Sequence, residues 1–289
     1  MRAALLPLSL VLSALAGGCV LSPVLEGDGV PGERVEKVPA VSVVAAAGDV
    51  RVDVQPAEAP FARVACDENL LSAIIVEVDG DRLTVHTRGP GGGSVTLAPQ
   101  VEDCGVEIGM PALEAVFNTG SGDMRVGGAA DCADDAGPLT RADGSATADC
   151  AGWDTLTAAT LTGSGSLWLA GPVSPSRLAL TLTGSGDLQA DAAFAATVEA
   201  RLTGSGDLWV EDGSADTLEA RLSGSGDLDL RALRAADATL ALTGSGDLAA
   251  TVLDSVDVTL TGSGDVEIWG DPPQRSRQRT GSGEIHFRR

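Results

Sequence analysis

The residues best placed to do chemistry form a column of acids. Thr-Gly-Ser-Gly-Asp recurs with its Asp at 123, 187, 207, 247 and 265. Variants read Ser-Gly-Ser-Gly-Asp at 227, Thr-Gly-Ser-Gly-Ser at 166 and Thr-Gly-Ser-Gly-Glu at 284, with weaker copies at Asp143-Gly144-Ser145 and Ala46-Ala47-Gly48-Asp49. Asp187, Asp207, Asp227, Asp247, Asp265 and Glu284 fall in successive copies. Stacked about 5 Å apart, neighbouring carboxylates repel by ~1 kcal/mol in water-like surroundings, so something must offset the repulsion. One chemistry is local: each carboxylate accepts hydrogen bonds from the amides of its own Gly-Ser-Gly corner, as Asp does in turns. Ser145 and Ser166 could do the same without charge. The competing chemistry is a calcium ladder on those six acids. One acid per roughly 20 residues offers few oxygens per ion, against the denser Gly/Asp rolls built on nine-residue repeats. No other cofactor is expected.

A second column lies two places after the acid and should point outward. It carries Trp168, Gln189 and Trp209, with two Trp flanking an amide roughly 10 Å apart at the strand spacing of a sheet. Such a face could stack on sugar rings or meet a partner protein; the competing reading is that both Trp merely cover outward aliphatic surface. Enzymatic chemistry has little support. Gly-Ser-Gly-Asp has no following Lys and repeats too often for a phosphate loop. His86 and His286 stand apart from any Ser or Cys at a recognisable spacing. A polysaccharide-cleaving site would need clustered acids with nearby Lys or Arg, whereas these acids are equivalent and regularly spaced.

The elements that must hold these columns follow from the periodicity. The Gly before the acid recurs roughly every 20 residues, one supersecondary unit per period. One place after the acid stand Met124, Leu167, Leu188, Leu208, Leu228, Leu248, Val266 and Ile285; four before the Gly stand Leu161, Leu182, Leu202, Leu222, Leu242 and Leu260. Apolar residues at alternate positions on both sides of a Gly-Ser-Gly break read as strand, turn, strand. A unit this short buries its face only by stacking on copies of itself, so the expected fold is an all-β solenoid with coils of about 20 residues. Thr119, Thr162, Thr183, Thr203, Ser223, Thr243, Thr261 and Thr280 would form a hydroxyl ladder beside the corner. A sandwich of hairpins would show turns every 8–12 residues instead.

Composition sets the context. The 289 residues carry a net charge of −22, no Tyr and 37 Gly, and Lys37 is the only lysine. That surface repels nucleic acid and anionic headgroups and suits cations, basic partners or neutral sugars. Residues 1–19 read as an export signal: Arg2, then an apolar run too short to span a bilayer. The end, Leu15-Ala16-Gly17-Gly18-Cys19, resembles a bacterial lipobox, in which the Cys becomes the lipidated first residue; a plain secretory signal is the competing reading. Residues 20–36, rich in Gly and Pro, are expected as a tether and residues 37–289 as the solenoid. Within it, 37–118 is less regular, 119–289 carries the repeats and 271–289 forms a cap. In that cap Arg275, Arg277 and Arg279 occupy columns that are apolar elsewhere, and a polar end unit stops end-to-end stacking. A basic contact for an acidic partner is the weaker reading of the same arginines. Besides Cys19, an even set of cysteines in an exported chain implies two disulfides, and one-coil spacing favours Cys132–Cys150, leaving Cys66–Cys104.

An aliphatic strand ending in Gly48-Asp49-Val50, then Asp67-Glu68-Asn69-Leu70-Leu71, then Gly80 and Leu83-Thr84-Val85, then serial Gly-Ser-Gly-Asp copies, resembles the putative auto-transporter adhesin, head GIN domain family. The resemblance spans roughly 35–289. It implies a parallel, right-handed β-helix-like solenoid on a secreted or surface-anchored bacterial protein, with no established catalysis. The cysteines and the acid-free copies depart from the pattern. Together these readings lead to the expectation of a lipid-anchored protein of the outer membrane or cell surface. It is expected to act as an adhesin-like scaffold meeting the membrane through its lipid and a glycan or envelope protein through its face. An envelope structural or stress-associated protein without external ligand, and a carbohydrate-active β-helix enzyme, are the alternatives.

Overall fold

The computed structural model describes residues 24–89, 96–97, 104–127 and 153–289. Among them there is no α-helix, and strands dominate. The expected solenoid is what forms. Each regular coil has three runs of in-register parallel pairing. In one coil these are Leu208 to Val210, Gly213 to Ala215 and Thr217 to Gly224, laid against Leu188 to Ala190, Ala193 to Ala195 and Thr197 to Gly204 of the coil before. The period-2 alternation explains the core. Leu188, Leu208, Leu228, Leu248 and Val266 stack at 0–1% exposure, and Leu182, Leu202, Leu222, Leu242 and Leu260 at 0–2% beside them. Each buried Leu contributes about 1.5–3 kcal/mol of apolar burial. The hydroxyl column is aligned as expected, Thr162 to Thr183 to Thr203 to Ser223 to Thr243 to Thr261 to Thr280.

The corner glycines are required by contact. A Cβ on Gly206 would lie 1.9 Å from the Gly186 carbonyl oxygen, and one on Gly204 would lie 2.0 Å from that of Gly184. Gly204 also has a φ of 137°. Backbone approaches backbone so closely here that no side chain fits.

The stack shows two features of order. The copy at Asp143-Gly144-Ser145 lies outside the described residues, and the stack closes without it. Met124 pairs directly with Leu167, and Val116 with Ala159. A Cβ on Gly165 would meet the Gly122 carbonyl at 2.1 Å, so these two corners are neighbours. The second feature concerns the N-terminal part. The coil Val43–Ala47 and Arg51–Pro56 is covered on both sides. On one side lie Ala115–Asn118 and Met124–Gly127, which lead to the repeats. On the other lie Arg82–Thr87 and Gly105–Met110, which come earlier in the chain. Chain order and stacking order therefore differ.

Beyond that outer coil the strands turn antiparallel and close the end. Ile74–Asp79 pairs with Arg82–Thr87, and Phe61–Asp67 with Gly105–Met110. Leu70 and Ile74, flanking the short 3-10 turn Leu71–Ala73, are 2% and 0% exposed and plug the core. The expected tether belongs to this cap from Val24 onward. Val24–Leu25 pairs with Thr96–Leu97, and Pro31–Glu36 with Phe61–Asp67. The Asp67-Glu68-Asn69 run holds it: Asn69 Nδ2 donates to the Glu26 carbonyl at 2.9 Å, and Asp67 Oδ2 accepts the Gly29 amide at 3.0 Å. The Arg34 guanidinium donates to the Leu71 and Ile74 carbonyls at 2.7 and 2.9 Å. Cys66 is bonded to Cys104, joining a cap strand to the outermost parallel coil. Cys19, Cys132 and Cys150 lie outside the described residues.

Candidate functional site

The acidic column runs along one corner, and its hydrogen bonds go where the sequence did not say. Asp207 Oδ1 accepts the backbone amide of Asp227 at 3.0 Å, Asp227 that of Asp247 at 3.0 Å, and Asp247 that of Asp265 at 2.8 Å. Asp187 takes the Asp207 amide at 3.3 Å and Asp265 the Glu284 amide at 2.7 Å. Asp123 does the same for Ser166 at 2.9 Å. Each carboxylate thus binds the next coil and not its own corner, which corrects the local reading. A charge-assisted bond of this kind offsets the like-charge repulsion of the column. Ser166 shows what happens without the acid: the Asp187 amide turns to the Gly165 carbonyl at 3.3 Å. Among the described residues no three His, Cys, Asp or Glu side chains gather as a metal cluster. The ladder is therefore a coil-to-coil clamp.

The outward row is assembled in register. Arg125 lies beside Trp168, Trp168 beside Gln189, Gln189 beside Trp209, and Trp209 beside Asp229. The three residues expected as a face do come together. All three are half-buried. Period-2 strands put them there: their neighbours Leu167, Leu169, Leu188, Ala190, Leu208 and Val210 fill the core.

Sequence reasoning missed the acids that organise this row. Trp168 Nε1 donates to Asp191 Oδ1 at 2.6 Å, and Asp191 Oδ2 accepts the Gly171 amide at 2.9 Å. Gln189 Nε2 donates to Glu211 Oε1 at 2.8 Å. The Arg125 guanidinium sits 4.9 Å from the centre of the Trp168 ring, a cation–π contact. The signal for these partners was present two places beyond Gln189 and Trp209, where Asp191 and Glu211 continue the outward alternation. Towards the cap the same surface becomes charged and paired with itself. Arg63 meets Glu107 at 3.5 Å and Arg51 meets Asp53 at 3.4 Å, around a shallow cavity of about 450 Å³ that Arg125 also lines.

Of the two histidines, His86 Nε2 lies 3.1 Å from an Arg88 nitrogen and His286 pairs with Glu284 at 3.2 Å. Asp229 titrates below the usual carboxylate range because Arg231 hydrogen-bonds its side chain, against some desolvation.

The comparisons with known proteins fit this architecture. Residues 151–272 match the family described as putative auto-transporter adhesin, head GIN domain. The resemblance seen in the sequence is thereby borne out over the repeat region. None of the curated proteins compared matches the chain. A crystal structure of a putative adhesin from Parabacteroides merdae ATCC 43184 superposes with a TM-score of 0.76 at 15% identity, covering 93% of this chain and 100% of that one. A putative adhesin from Parabacteroides distasonis ATCC 8503 gives 0.75 at 18%, covering 92% and 100%. A protein from the same organism described as a putative lipid binding protein gives 0.72 at 22%, with the same coverage. At these identities the likeness is one of fold, and it extends beyond the repeats to the cap.

Proposed function

We propose that the chain is an exported bacterial surface protein, held to the outer membrane by a lipid on Cys19, that works as an adhesin-like scaffold without catalysis. The observation that carries this reading is the in-register row Trp168, Gln189, Trp209 on a rigid parallel stack. Aromatic rings with apolar bodies and polar edges, spaced by a fixed backbone, offer sugar rings a stacking surface at little entropic cost. Asp191 fixes the Trp168 rotamer and Glu211 fixes Gln189, so the face is set before a ligand arrives. The family's description as an adhesin head, and similar folds among putative adhesins, support the reading.

A structural envelope role without external ligand is favoured by one observation. Arg125 and Asp191 already engage Trp168, as if the row served to bind coil to coil. A glycan array separates the two. The exported chain with Cys19→Ser would be compared with a Trp168→Ala, Trp209→Ala variant that melts like the parent. Glycan binding by the parent that the variant loses is expected. Binding by neither, or equal binding by both, would move the assignment to the structural role. Fatty-acid labelling of the full chain, absent in Cys19→Ala, tests the anchor.

A further inference from the structure

The last coil breaks the rule that built the others. Its strand Gln274–Gly281 lies in register on Ser255 to Gly262, so Arg275 stacks on Val256, Arg277 on Val258 and Arg279 on Leu260. Those three partners are 0–3% exposed, whereas the whole strand above them is exposed. Two of the arginines have local work. Arg275 donates to the Pro272 carbonyl at 2.6 Å, pairs with Asp271, and lies 4.4 Å from the centre of the Phe287 ring. Arg279 donates to the Gly283 carbonyl at 3.0 Å. The Arg277 side chain makes no hydrogen bond, ion pair or ring contact with any described residue. Beside it opens a cavity of about 430 Å³ lined by Arg277, Arg279, Glu284, Ile285 and His286.

We propose that this cavity is a binding site for a carboxylate-bearing saccharide, a uronic-acid unit of a polysaccharide, with Arg277 as its anion contact. A guanidinium fork matches a planar carboxylate with two parallel hydrogen bonds, and Arg279, partly fixed by Gly283, supplies a second positive group. Glu284 and His286 offer acceptors and donors for hydroxyls. Ile285 alone is apolar, which suits a hydroxylated ligand over a hydrocarbon one. The volume falls in the range of small-molecule clefts. Charge gives the site its selectivity of place. A chain of net charge −22 repels anions almost everywhere, while Arg277 and Arg279 line this cavity and Arg275, Arg288 and Arg289 nearby are paired with Asp271 and Glu267. This site is separate from the Trp168–Trp209 row and does not depend on that row binding anything.

The test is calorimetric titration of the chain carrying Cys19→Ser with a uronic-acid disaccharide, its neutral counterpart and acetate. Saturable binding of the uronide is expected, at least tenfold tighter than either control and weakened by salt. Arg277→Gln, exposed and without partners, should melt like the parent and lose at least tenfold in affinity. Arg277→Lys should recover only part of it. The Trp168→Ala, Trp209→Ala variant should bind the uronide unchanged. No uronide binding, equal binding of the neutral sugar or of acetate, an unaffected Arg277→Gln variant, or loss in the Trp variant would each overturn the assignment.

Discussion

Asp227 Oδ1 accepts the backbone amide of Asp247 at 3.0 Å, so the acid of one corner holds the chain of the next. The bond repeats from Asp187 to Glu284 and makes the acidic column part of the stack's cohesion. Replacing Asp227 with Ala should therefore destabilise by about 1–2 kcal/mol, the net worth of one charge-assisted bond. Asn keeps the accepting oxygen and should recover part of this. Amide hydrogen exchange locates the effect: Asp247 should lose protection in Asp227→Ala, and Asp207 should not.

Glycines separate steric from conformational demand. Gly206→Ala places a methyl 1.9 Å from the Gly186 carbonyl, and the backbone must move to admit it. The expected cost is on the order of 3 kcal/mol or more, at the upper end for overpacking. Gly171 has a φ of 87° with nothing within 4 Å of its Cβ, so Gly171→Ala should cost only the left-handed backbone term of about 1–2 kcal/mol. Chemical denaturation of the two variants should rank them in that order.

The Cys66–Cys104 bond closes a loop with a sequence separation of 38 across the cap. Its removal by Cys66→Ala, Cys104→Ala should lower stability by about 2–4 kcal/mol. The loss should appear first in the cap, as faster exchange of amides in Phe61–Asp67 and Gly105–Met110, with the repeats from 177 onward unchanged until global melting.

Acid should loosen the contact between Ser42 and Asp81. The Ser42 hydroxyl and amide both donate to the Asp81 carboxylate, and the side-chain bond holds its pKa below the usual carboxylate range. A depressed folded pKa means stability that is present above the unfolded value and lost as pH falls through the folded one. The contact should thus be intact at neutral pH and fail only in acid, as the pH falls through the depressed pKa. Comparing the acid limbs of the parent and Ser42→Ala checks this, with a shallower limb expected in the variant.

The repeats were legible because two independent rules coincide there. Leu188 and Ala190 alternate inward while Gly184 and Gly186 mark the corner, and both recur at one period. The cap was less legible for a physical reason. Alternation reports which face of a strand is buried but not its direction, so Phe61–Asp67 reads the same parallel or antiparallel. Asp143-Gly144-Ser145 lies outside the described residues, and the coils on either side of it pair directly, Met124 on Leu167. The Asp ladder was half read. An exposed Asp at a turn calls for an amide partner, but its own corner and the next coil's both offer one a short reach away. Likewise Trp168 was placed correctly as outward, while the partner of its indole N–H became evident only once Asp191 was seen across the turn at Gly171.

The mismatch between chain order and stacking order bears on how the protein is made. Coil Val43–Ala47 with Arg51–Pro56 is the first parallel coil in the chain, yet it ends up as an interior layer. Its two open edges are claimed in sequence, first by Arg82–Thr87 and Gly105–Met110, then by Ala115–Asn118 and Met124–Gly127. Once the antiparallel strands have sealed the first side, only one growing edge remains. From Arg177–Gly184 onward each coil lies on the one before it, each contact reaching back about one period. The antiparallel seal thus turns a two-sided template into a one-sided one.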